Sequence, residues 1–437
     1  MKKINLQNID LNKAKKESLC AFPWMHIHLS PDNHIQPCCI TNPADSLDIK
    51  GKQEDGINDW INSPAMNKIR LQMLNGEKPS ACNTCYHQEQ STLESFRKTS
   101  LREYERYIPE ALSGTNEDGT LDNFKMRYLD MRFSNLCNMK CRTCGSGYSS
   151  LWEIEDAKAG VMGNELKNEV DYPKIQKELY DQIPNLQRAY FAGGEPLITE
   201  DHYDLLEEML RQGRTDILLS YNTNLSKLKF KDKDLLDLWS RFDNRVQVYG
   251  SLDHFGAKAE YIRSGTKWNE VIKNYKTLLA SDVVELSITT SVSIFNYASL
   301  TDFFDYLIDN GIAPWIKPNN GVWQLNPVYG PEEFSFQAMP SNLKQEIYDQ
   351  QTAYIKTKLI DLIKNEQQNI MAAQIRVLMN GIESLHTLAK SKGTWDQVGD
   401  RFKNETAKID KRRGEIFTDV FPELANLMNP ALENLKR

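Results

Sequence analysis

The chain has 437 residues, of which 40% are hydrophobic and 26% charged, a composition typical of a globular protein with more than one domain. Its net charge of -7 argues against a protein that depends on a broad basic surface to hold nucleic acid. It has no apolar segment long enough to cross a bilayer, and its N-terminus lacks the apolar core of a signal peptide. We therefore expect a cytoplasmic protein with no membrane partner.

The eight cysteines fall in two groups. Five lie before residue 90, and the other three lie between residues 137 and 144. In a reducing compartment, metal binding explains such a set better than disulfides do.

The first segment is predicted to contain a β-hairpin. Residues 25–29 alternate in polarity, residues 31–33 have turn composition, and a second short extended run follows. This hairpin would bring Cys20 and Cys38 close together.

Further along, Cys82 and Cys85 form a C-x2-C pair that can present two sulfurs to one metal. Together with Cys20 and Cys38 they would complete a four-thiolate site, with Cys39 as the alternate to Cys38 or a spare ligand. Such a shell suits structural zinc or an electron-carrying iron-sulfur cluster, and counting thiols does not separate the two. Because four thiols already suffice, we interpret the nearby histidines as strand or surface residues: His26, His28, His34 and His87.

The second group is Cys137, Cys141 and Cys144, which follow the hydrophobic run 126–133. Three thiols at this spacing leave a tetrahedral or cubane site one ligand short, and catalytic metal sites keep such an open position. The alternative is a zinc knuckle or an incidental cysteine-rich turn.

This C-x3-C-x2-C pattern resembles the signature of the radical S-adenosylmethionine superfamily, which follows the first strand of a partial (β/α)6 TIM barrel. The resemblance implies that Cys137, Cys141 and Cys144 bind a 4Fe-4S cluster. Its fourth iron would take the amino and carboxylate groups of S-adenosylmethionine. The family usually has an aromatic residue where this chain has Thr143, which we interpret as a change in adenine packing.

The N-terminal cysteines are similar to a twitch or SPASM-type auxiliary-cluster module, on three features. These are Cys20 before the first strand, Cys38-Cys39 after the turn, and a C-x2-C pair followed by Glu89. Here the module would precede the barrel. The resemblance favours an auxiliary 4Fe-4S cluster over zinc.

Strand-like and helix-like runs alternate after the linker-like residues 113–122, which indicates βα units and a parallel sheet. Six strands are predicted, a number that suits an open barrel: 126–133, 188–191, 217–221, 246–251, 285–292 and 314–316.

Ligands of such barrels bind where strands end. Gly193-Gly194-Glu195 follows the second strand and resembles the family's GGEP motif, which implies contact with the methionine amino group; by itself the sequence would be only a turn. Asn224 follows the third strand at the family's Thr-Asn-Gly position, with Leu225 in place of the glycine. It would reach the cofactor's ribose or carboxylate, or would simply cap a helix.

Ser251 and Asp253 follow the fourth strand, and Arg263 lies ten residues beyond Asp253. The pattern resembles peptide-modifying relatives, in which the serine and arginine hold the methionine carboxylate, a role suited to a guanidinium. The alternative is a solvated strand end and a surface arginine.

These features predict an auxiliary-cluster module (1–120), a radical S-adenosylmethionine barrel (121–325) and a helical C-terminal extension (326–437). The resemblance implies that a reductant such as flavodoxin or ferredoxin reduces the cluster. S-adenosylmethionine is then cleaved, and a 5′-deoxyadenosyl radical abstracts hydrogen from a substrate. A peptide or protein substrate is slightly preferred to a sugar or small metabolite.

Two other hypotheses stay open. In one, the enzyme carries structural zinc in place of the auxiliary cluster. In the other, the chain is a non-catalytic iron-sulfur or zinc-binding scaffold.

Overall fold

The computed structural model describes residues 2–41, 49–90, 94–161, 173–243, 245–316, 321–365, 369–390 and 394–428. Within them, 13 strands occur in chain order: β1 His26–Leu29, β2 His34–Gln36, β3 Gly51–Lys52, β4 Tyr128–Met131, β5 Lys140–Cys141, β6 Arg188–Phe191, β7 Leu218–Thr223, β8 Lys229–Phe230, β9 Lys233–Asp234, β10 Val246–Ser251, β11 Arg263–Ser264, β12 Glu285–Val292 and β13 Trp323–Pro327.

The α-helices of the first half of the chain are α1 Leu11–Glu17, α2 Phe22–Met25, α3 Ile57–Ile61, α4 Pro64–Leu74, α5 Asn83–Gln88, α6 Phe96–Glu103, α7 Ile108–Ser113, α8 Ser150–Lys158, α9 Pro173–Gln182 and α10 Glu200–Arg211. Those of the second half are α11 Leu235–Trp239, α12 Gly256–Ile262, α13 Trp268–Ala280, α14 Leu300–Asp309, α15 Ser341–Tyr354, α16 Ile360–Asn365, α17 Asn369–Ala389, α18 Trp395–Arg413 and α19 Phe417–Val420. Among the helices in these described ranges, none combines the length and the apolar composition needed to cross a membrane.

The chain divides into two compact units, each with its own strands and helices. Unit 1 comprises Met1–Leu136, Asp156–Tyr221 and Arg241–Arg245, and unit 2 comprises Cys137–Glu155, Asn222–Ser240 and Val246–Arg437. Each unit is α/β, with a mostly parallel sheet, as the alternation of strand-like and helix-like runs predicts.

The predicted N-terminal hairpin is present in unit 1, where β1 and β2 pair antiparallel with His28 opposite Gln36. β1 also pairs parallel with β4, β4 pairs parallel with β6, and β6 with β7. Ile27 and Leu29 on β1 are fully buried, like Leu129 on β4. Strands of parallel sheets are usually buried and apolar, and β1 has this character. The hairpin therefore extends the parallel sheet, which the sequence did not predict.

In unit 2, β10 pairs parallel with β12, and β12 pairs parallel with β13. The prediction of a strand at 314–316 is wrong, because Pro314–Ile316 is a short 3-10 helix. A proline cannot donate to a strand ladder, whereas Trp323 starts β13 fully buried, with its ring 5.1 Å from Phe303 and 4.9 Å from Phe304. The sixth strand therefore lies a few residues further along the chain.

α17 is the longest helix of the C-terminal region and packs on β13. Its buried residues recur with helical spacing at Ile375, Leu378, Ile382 and Leu385. A Cβ at Gly381 would lie 3.5 Å from the Leu325 side chain on β13, which is an ordinary van der Waals contact.

A buried histidine in unit 2 makes the stability of the fold depend on pH. His254 is 1% exposed; its Nδ1 accepts from the Phe255 N–H at 2.9 Å, and its Nε2 lies 3.1 Å from the Ser299 hydroxyl. Burial, followed by the Lys258 charge, lowers the pKa of His254 to about 3. An unfolded histidine titrates near 6.5, so the unfolded chain binds the extra proton as the pH falls below that value.

We expect His254 to contribute stability that is fully present above about pH 6.5 and that falls by about 2 kcal/mol between pH 6.5 and pH 5, at about 1.4 kcal/mol per pH unit. Urea unfolding at a series of pH values measures this loss. A His254→Gln variant should lose less stability over the same interval, whereas His87→Gln, at an exposed histidine, should keep the parent slope. An unchanged slope in His254→Gln would contradict the assignment.

Candidate functional site

The second cysteine group lies on a short loop of unit 2 that is held by backbone hydrogen bonds. β5 pairs antiparallel with β11, which places Cys141 opposite Arg263. The N–H of Cys144 donates to the Cys141 carbonyl at 3.0 Å, and the indole of Trp152 donates to the same carbonyl at 2.8 Å. All three cysteines are outside disulfides and half-buried, with Cys137 at the start of the loop.

A buried ion pair lies against this loop. Arg263 donates from Nε and Nη2 to the two carboxylate oxygens of Asp253, at 2.7 and 3.1 Å, and its Nη1 lies 3.7 Å from the Cys141 sulfur. Burial lowers the pKa of Arg263, but Asp253 and Cys141 raise it by more, so the guanidinium stays charged. Asp253 in turn accepts the N–H of Ser291 at 2.8 Å.

Two of the loop thiols, those of Cys141 and Cys144, have a raised pKa and are protonated at neutral pH. Burial raises the pKa of Cys141 against the opposing effect of Arg263, and burial with the nearby Cys141 raises the pKa of Cys144 to about 11. Iron binding would therefore release protons from these side chains, since thiolates are the ligands. Three soft sulfur donors beside a guanidinium are a suitable donor set for an iron-sulfur cluster.

Two of the other predicted cofactor residues are placed in unit 2. Asn224 donates to the Oδ1 of Asn138, inside the cysteine loop, at 2.9 Å. Leu225, which replaces the family's glycine, has φ of 58°, so it keeps a left-handed conformation at a cost of about 1 kcal/mol. Ser251 ends β10, two residues before Asp253, and is half-buried.

In unit 1, the glycine-glutamate loop is bound to the segment that precedes the cysteines in the sequence. The N–H of Glu195 donates to the Leu136 carbonyl at 2.7 Å, and a Cβ on Gly194 would lie 2.2 Å from the same oxygen. Gly193 has φ of 112°. Both glycines are thus required by the backbone, and Glu195, 2% exposed, accepts the N–H of Leu197 at 3.1 Å.

The four N-terminal cysteines predicted as ligands lie along one cavity in unit 1. Cys20, Cys38, Cys82 and Cys85 line one cavity, whose other walls are mostly apolar and include Phe22, Met73, Tyr86 and Phe96. Cys39 is not among its lining residues, and neither are the neighbouring histidines of the described chain. The structure therefore distinguishes Cys38 from its neighbour, which the sequence left open.

Arg97 is the cation at this cavity. Its side chain is 2% exposed and donates to both oxygens of Glu89 and to the carbonyls of Lys15, Lys16 and Leu19. Glu89, which the sequence associates with the cysteine module, is therefore the half-buried ionic partner of Arg97.

Burial raises the pKa of Cys20 to about 11 and also raises that of Cys82. The pKa of Cys38 is raised by its hydrogen bond with the Cys39 side chain and by burial. Within the described residues, no three histidine, cysteine or acidic side chains form a ready-made group for a single metal ion.

A row of polar residues on the sheet of unit 1 was not predicted from the sequence. His28, Asp130 and Tyr190 lie in register on β1, β4 and β6. The Nδ1 of His28 is 3.1 Å from Asp130, and Arg132 donates to Asp130 at 3.3 Å. Burial raises the pKa of Asp130, but Arg132 and His28 lower it by more, to well below its usual range. The available signal was the acidic residue inside an otherwise apolar strand.

A family model described as Radical SAM superfamily matches residues 131–307. The match begins at the last residue of β4 and ends within α14, so it includes the cysteine loop and every residue predicted to contact S-adenosylmethionine. It covers less than half of the chain. It supports the resemblance to the radical S-adenosylmethionine superfamily that the cysteine spacing indicates.

Several solved structures are similar at low identity. Native anSMEcpe with bound AdoMet is 17% identical with a TM-score of 0.37, and covers 52% of this chain and 59% of its own. SuiB from Streptococcus suis bound to S-adenosylmethionine is 15% identical with a TM-score of 0.36, and covers 68% and 64%. The chain thus spans about three fifths of the length of these structures. Comparison with curated proteins finds no match.

Proposed function

We propose that this chain is a radical S-adenosylmethionine enzyme that cleaves its cofactor reductively and abstracts hydrogen from a substrate. The observation that carries the proposal is the arrangement on β5 and β11, where Arg263, paired with Asp253, lies 3.7 Å from the sulfur of Cys141. The sequence predicted a cluster ligand and a carboxylate-binding arginine 122 positions apart, and the fold brings them into contact. The 4Fe-4S cluster and S-adenosylmethionine supply the electron transfer and the radical when bound.

The residues of the chain bind and orient these groups. Cys137, Cys141 and Cys144 would hold three irons of the cluster and leave the fourth for S-adenosylmethionine. Arg263, fixed by Asp253, would orient the methionine carboxylate and keep a positive charge beside the thiolates. In the same proposal Ser251 assists at the carboxylate, Asn224 contacts the cofactor, and Gly193, Gly194 and Glu195 receive its amino group.

We further propose an auxiliary 4Fe-4S cluster held by Cys20, Cys38, Cys82 and Cys85, in the module of residues 1–120. Support comes from the four cysteines on one apolar cavity wall and from Arg97, whose charge favours thiolate ligands nearby. A cluster with four protein ligands has no open iron and is suited to carrying an electron. Structural zinc in the same cavity is the alternative.

For the substrate we prefer a peptide or protein to a sugar or small metabolite, because the spacing of Ser251 and Arg263 resembles that of peptide modifiers. The reductant would be flavodoxin or ferredoxin, and the location the cytoplasm.

Metal analysis after anaerobic purification tests the proposal. We expect about eight irons per chain, because two cubane clusters hold four irons each. About four irons with one zinc would support the enzyme with structural zinc, and zinc alone would contradict the radical mechanism. Formation of 5′-deoxyadenosine with a chemical reductant is the accompanying activity measurement.

A further inference from the structure

A buried arginine inside the cysteine loop is held by the C-terminal region. Arg142 lies between Cys141 and Cys144 and is 1% exposed. Its Nη2 donates to the carboxylate oxygens of Asp410 and Glu415, each at 2.5 Å. Asp410 is in the last turn of α18, and Glu415 follows directly after that helix.

The same two carboxylates also bind the segment that carries Arg263. The Tyr261 hydroxyl donates to Asp410 at 2.8 Å, and the Ser264 hydroxyl donates to Glu415 at 2.6 Å. Arg142 itself lies 3.5 Å from the centre of the Tyr261 ring and donates to the Tyr261 carbonyl at 3.2 Å. Asp410 and Glu415 thus each bridge the cysteine loop and the arginine segment.

A third connection starts from Arg413, in the last turn of α18. Its side chain is 3% exposed, donates to the Lys140 carbonyl at 2.9 Å and pairs with Glu155 at 3.1 Å. Its guanidinium lies 4.4 Å from the centre of the Trp152 ring, which also binds the Cys141 carbonyl. Both ends of β5 are therefore held by residues of one short C-terminal segment.

This segment, residues 410–417, has a fixed backbone. Gly414 ends α18 in the left-handed conformation at φ of 66°, as helix C-caps commonly do. The N–H of Phe417 donates to the second carboxylate oxygen of Asp410 at 2.8 Å. Phe417 and Phe421 are buried and pack with Tyr261.

We propose that residues 410–417 are a positioning element of the cofactor site, which rests on the function proposed above. Asp410 and Glu415 neutralise Arg142 and keep the distance between Cys141 and Arg263 constant. Arg413 holds the cysteine loop from its other side. These residues act through the loop and do not touch the cofactor. The C-terminal region thereby completes the site, a role that the sequence did not predict.

Asp410→Asn and Glu415→Gln test this proposal, since each removes one charge and keeps the shape. Hydrogen exchange of residues 137–144, measured in the full chain before iron loading, should be at least tenfold faster in each variant. In the iron-loaded enzyme, KM for S-adenosylmethionine should rise at least tenfold with a smaller change in kcat. The cluster's reduction potential should become more positive, because a nearby negative charge has been removed.

Glu423→Gln is the matched control, because Glu423 lies in the same C-terminal region and pairs with Lys258 instead of the loop. It should leave the hydrogen exchange, the KM and the reduction potential unchanged.

Ser264→Ala removes one hydroxyl contact to Glu415 and provides a milder variant if the charge changes prevent folding. Its expected result is faster hydrogen exchange of residues 261–264.

Parent-like exchange in the 137–144 loop of Asp410→Asn and Glu415→Gln would overturn the inference. A failure of the proposed function appears differently, as a parent protein that binds no iron and forms no 5′-deoxyadenosine. The exchange measurement still decides whether residues 410–417 position the loop in that case.

Discussion

A Cys141→Ala variant is expected to form 5′-deoxyadenosine at least about a hundredfold more slowly than the parent and to lose about four irons. Loss of a partner that only orients a metal ligand costs 10- to 100-fold, and loss of the ligand itself costs more. Cys141 is also the thiol that faces the Arg263 guanidinium, so the change leaves that buried cation with one acidic neighbour fewer. Anaerobic assays with a chemical reductant, together with iron analysis, measure both effects.

Two further variants make this result interpretable. Cys82→Ala should lose the auxiliary metal but retain some cleavage of S-adenosylmethionine that is uncoupled from substrate. Cys39→Ala is the matched control, because this residue adjoins Cys38 but does not line the four-cysteine cavity. Its metal content should equal that of the parent. Unimpaired cleavage by Cys141→Ala would remove the mechanism.

Replacing Arg97 with methionine is expected to lower the free energy of unfolding by about 3–5 kcal/mol, the usual cost of removing one partner of a buried ion pair. The change leaves Glu89 without its cation and leaves the carbonyls of Lys15 and Leu19 without a donor. Denaturant unfolding measures the loss, and iron content shows whether the neighbouring cavity survives.

The pH dependence of Arg97→Met gives a second readout. Burial raises the pKa of Glu89, but hydrogen bonds from Arg97 and Ser95 lower it by more. In the parent this ion pair therefore stabilises the fold at pH values above the usual glutamate pKa. Its contribution to stability is lost as the pH falls through the lower pKa that Glu89 has in the folded protein. The variant should lack this acid-sensitive contribution.

Arg102→Met, on the exposed side of α6, is the control and should keep the parent's unfolding midpoint. An equal loss of unfolding free energy in both variants would contradict the role of burial.

The strands that could be predicted are those whose own residues favour extension and burial. The predicted bounds 188–191, 246–251 and 285–292 are those of β6, β10 and β12. The prediction of a strand at 314–316 was wrong because an apolar run that begins with proline can be buried without pairing in a sheet. A short apolar run also does not show whether it forms a strand or a helix. The partner of β1 was missed for a related reason, since strand pairing across 102 residues leaves no local pattern.

The residues of the candidate site also divide into those that the sequence identified and those that it missed. Spacing identified Cys137, Cys141 and Cys144 as a group because their separation along the chain limits how far apart they can lie in space. By contrast, Arg142 appeared to be only a residue between two cysteines. Its carboxylate partners are 268 and 273 residues away.

By itself, the sequence determined the chemistry available to this protein: two sets of thiols, a glycine-glutamate loop and a number of strands that suits an open barrel. These properties follow from residue type and short spacing, which local geometry preserves. Only the tertiary structure decided that Cys38 and not Cys39 faces the four-cysteine cavity, that Asp253 holds Arg263, and that residues 410–417 hold the cysteine loop. Such choices depend on which charges are buried together, because a buried ion needs a partner that only folding can bring to it.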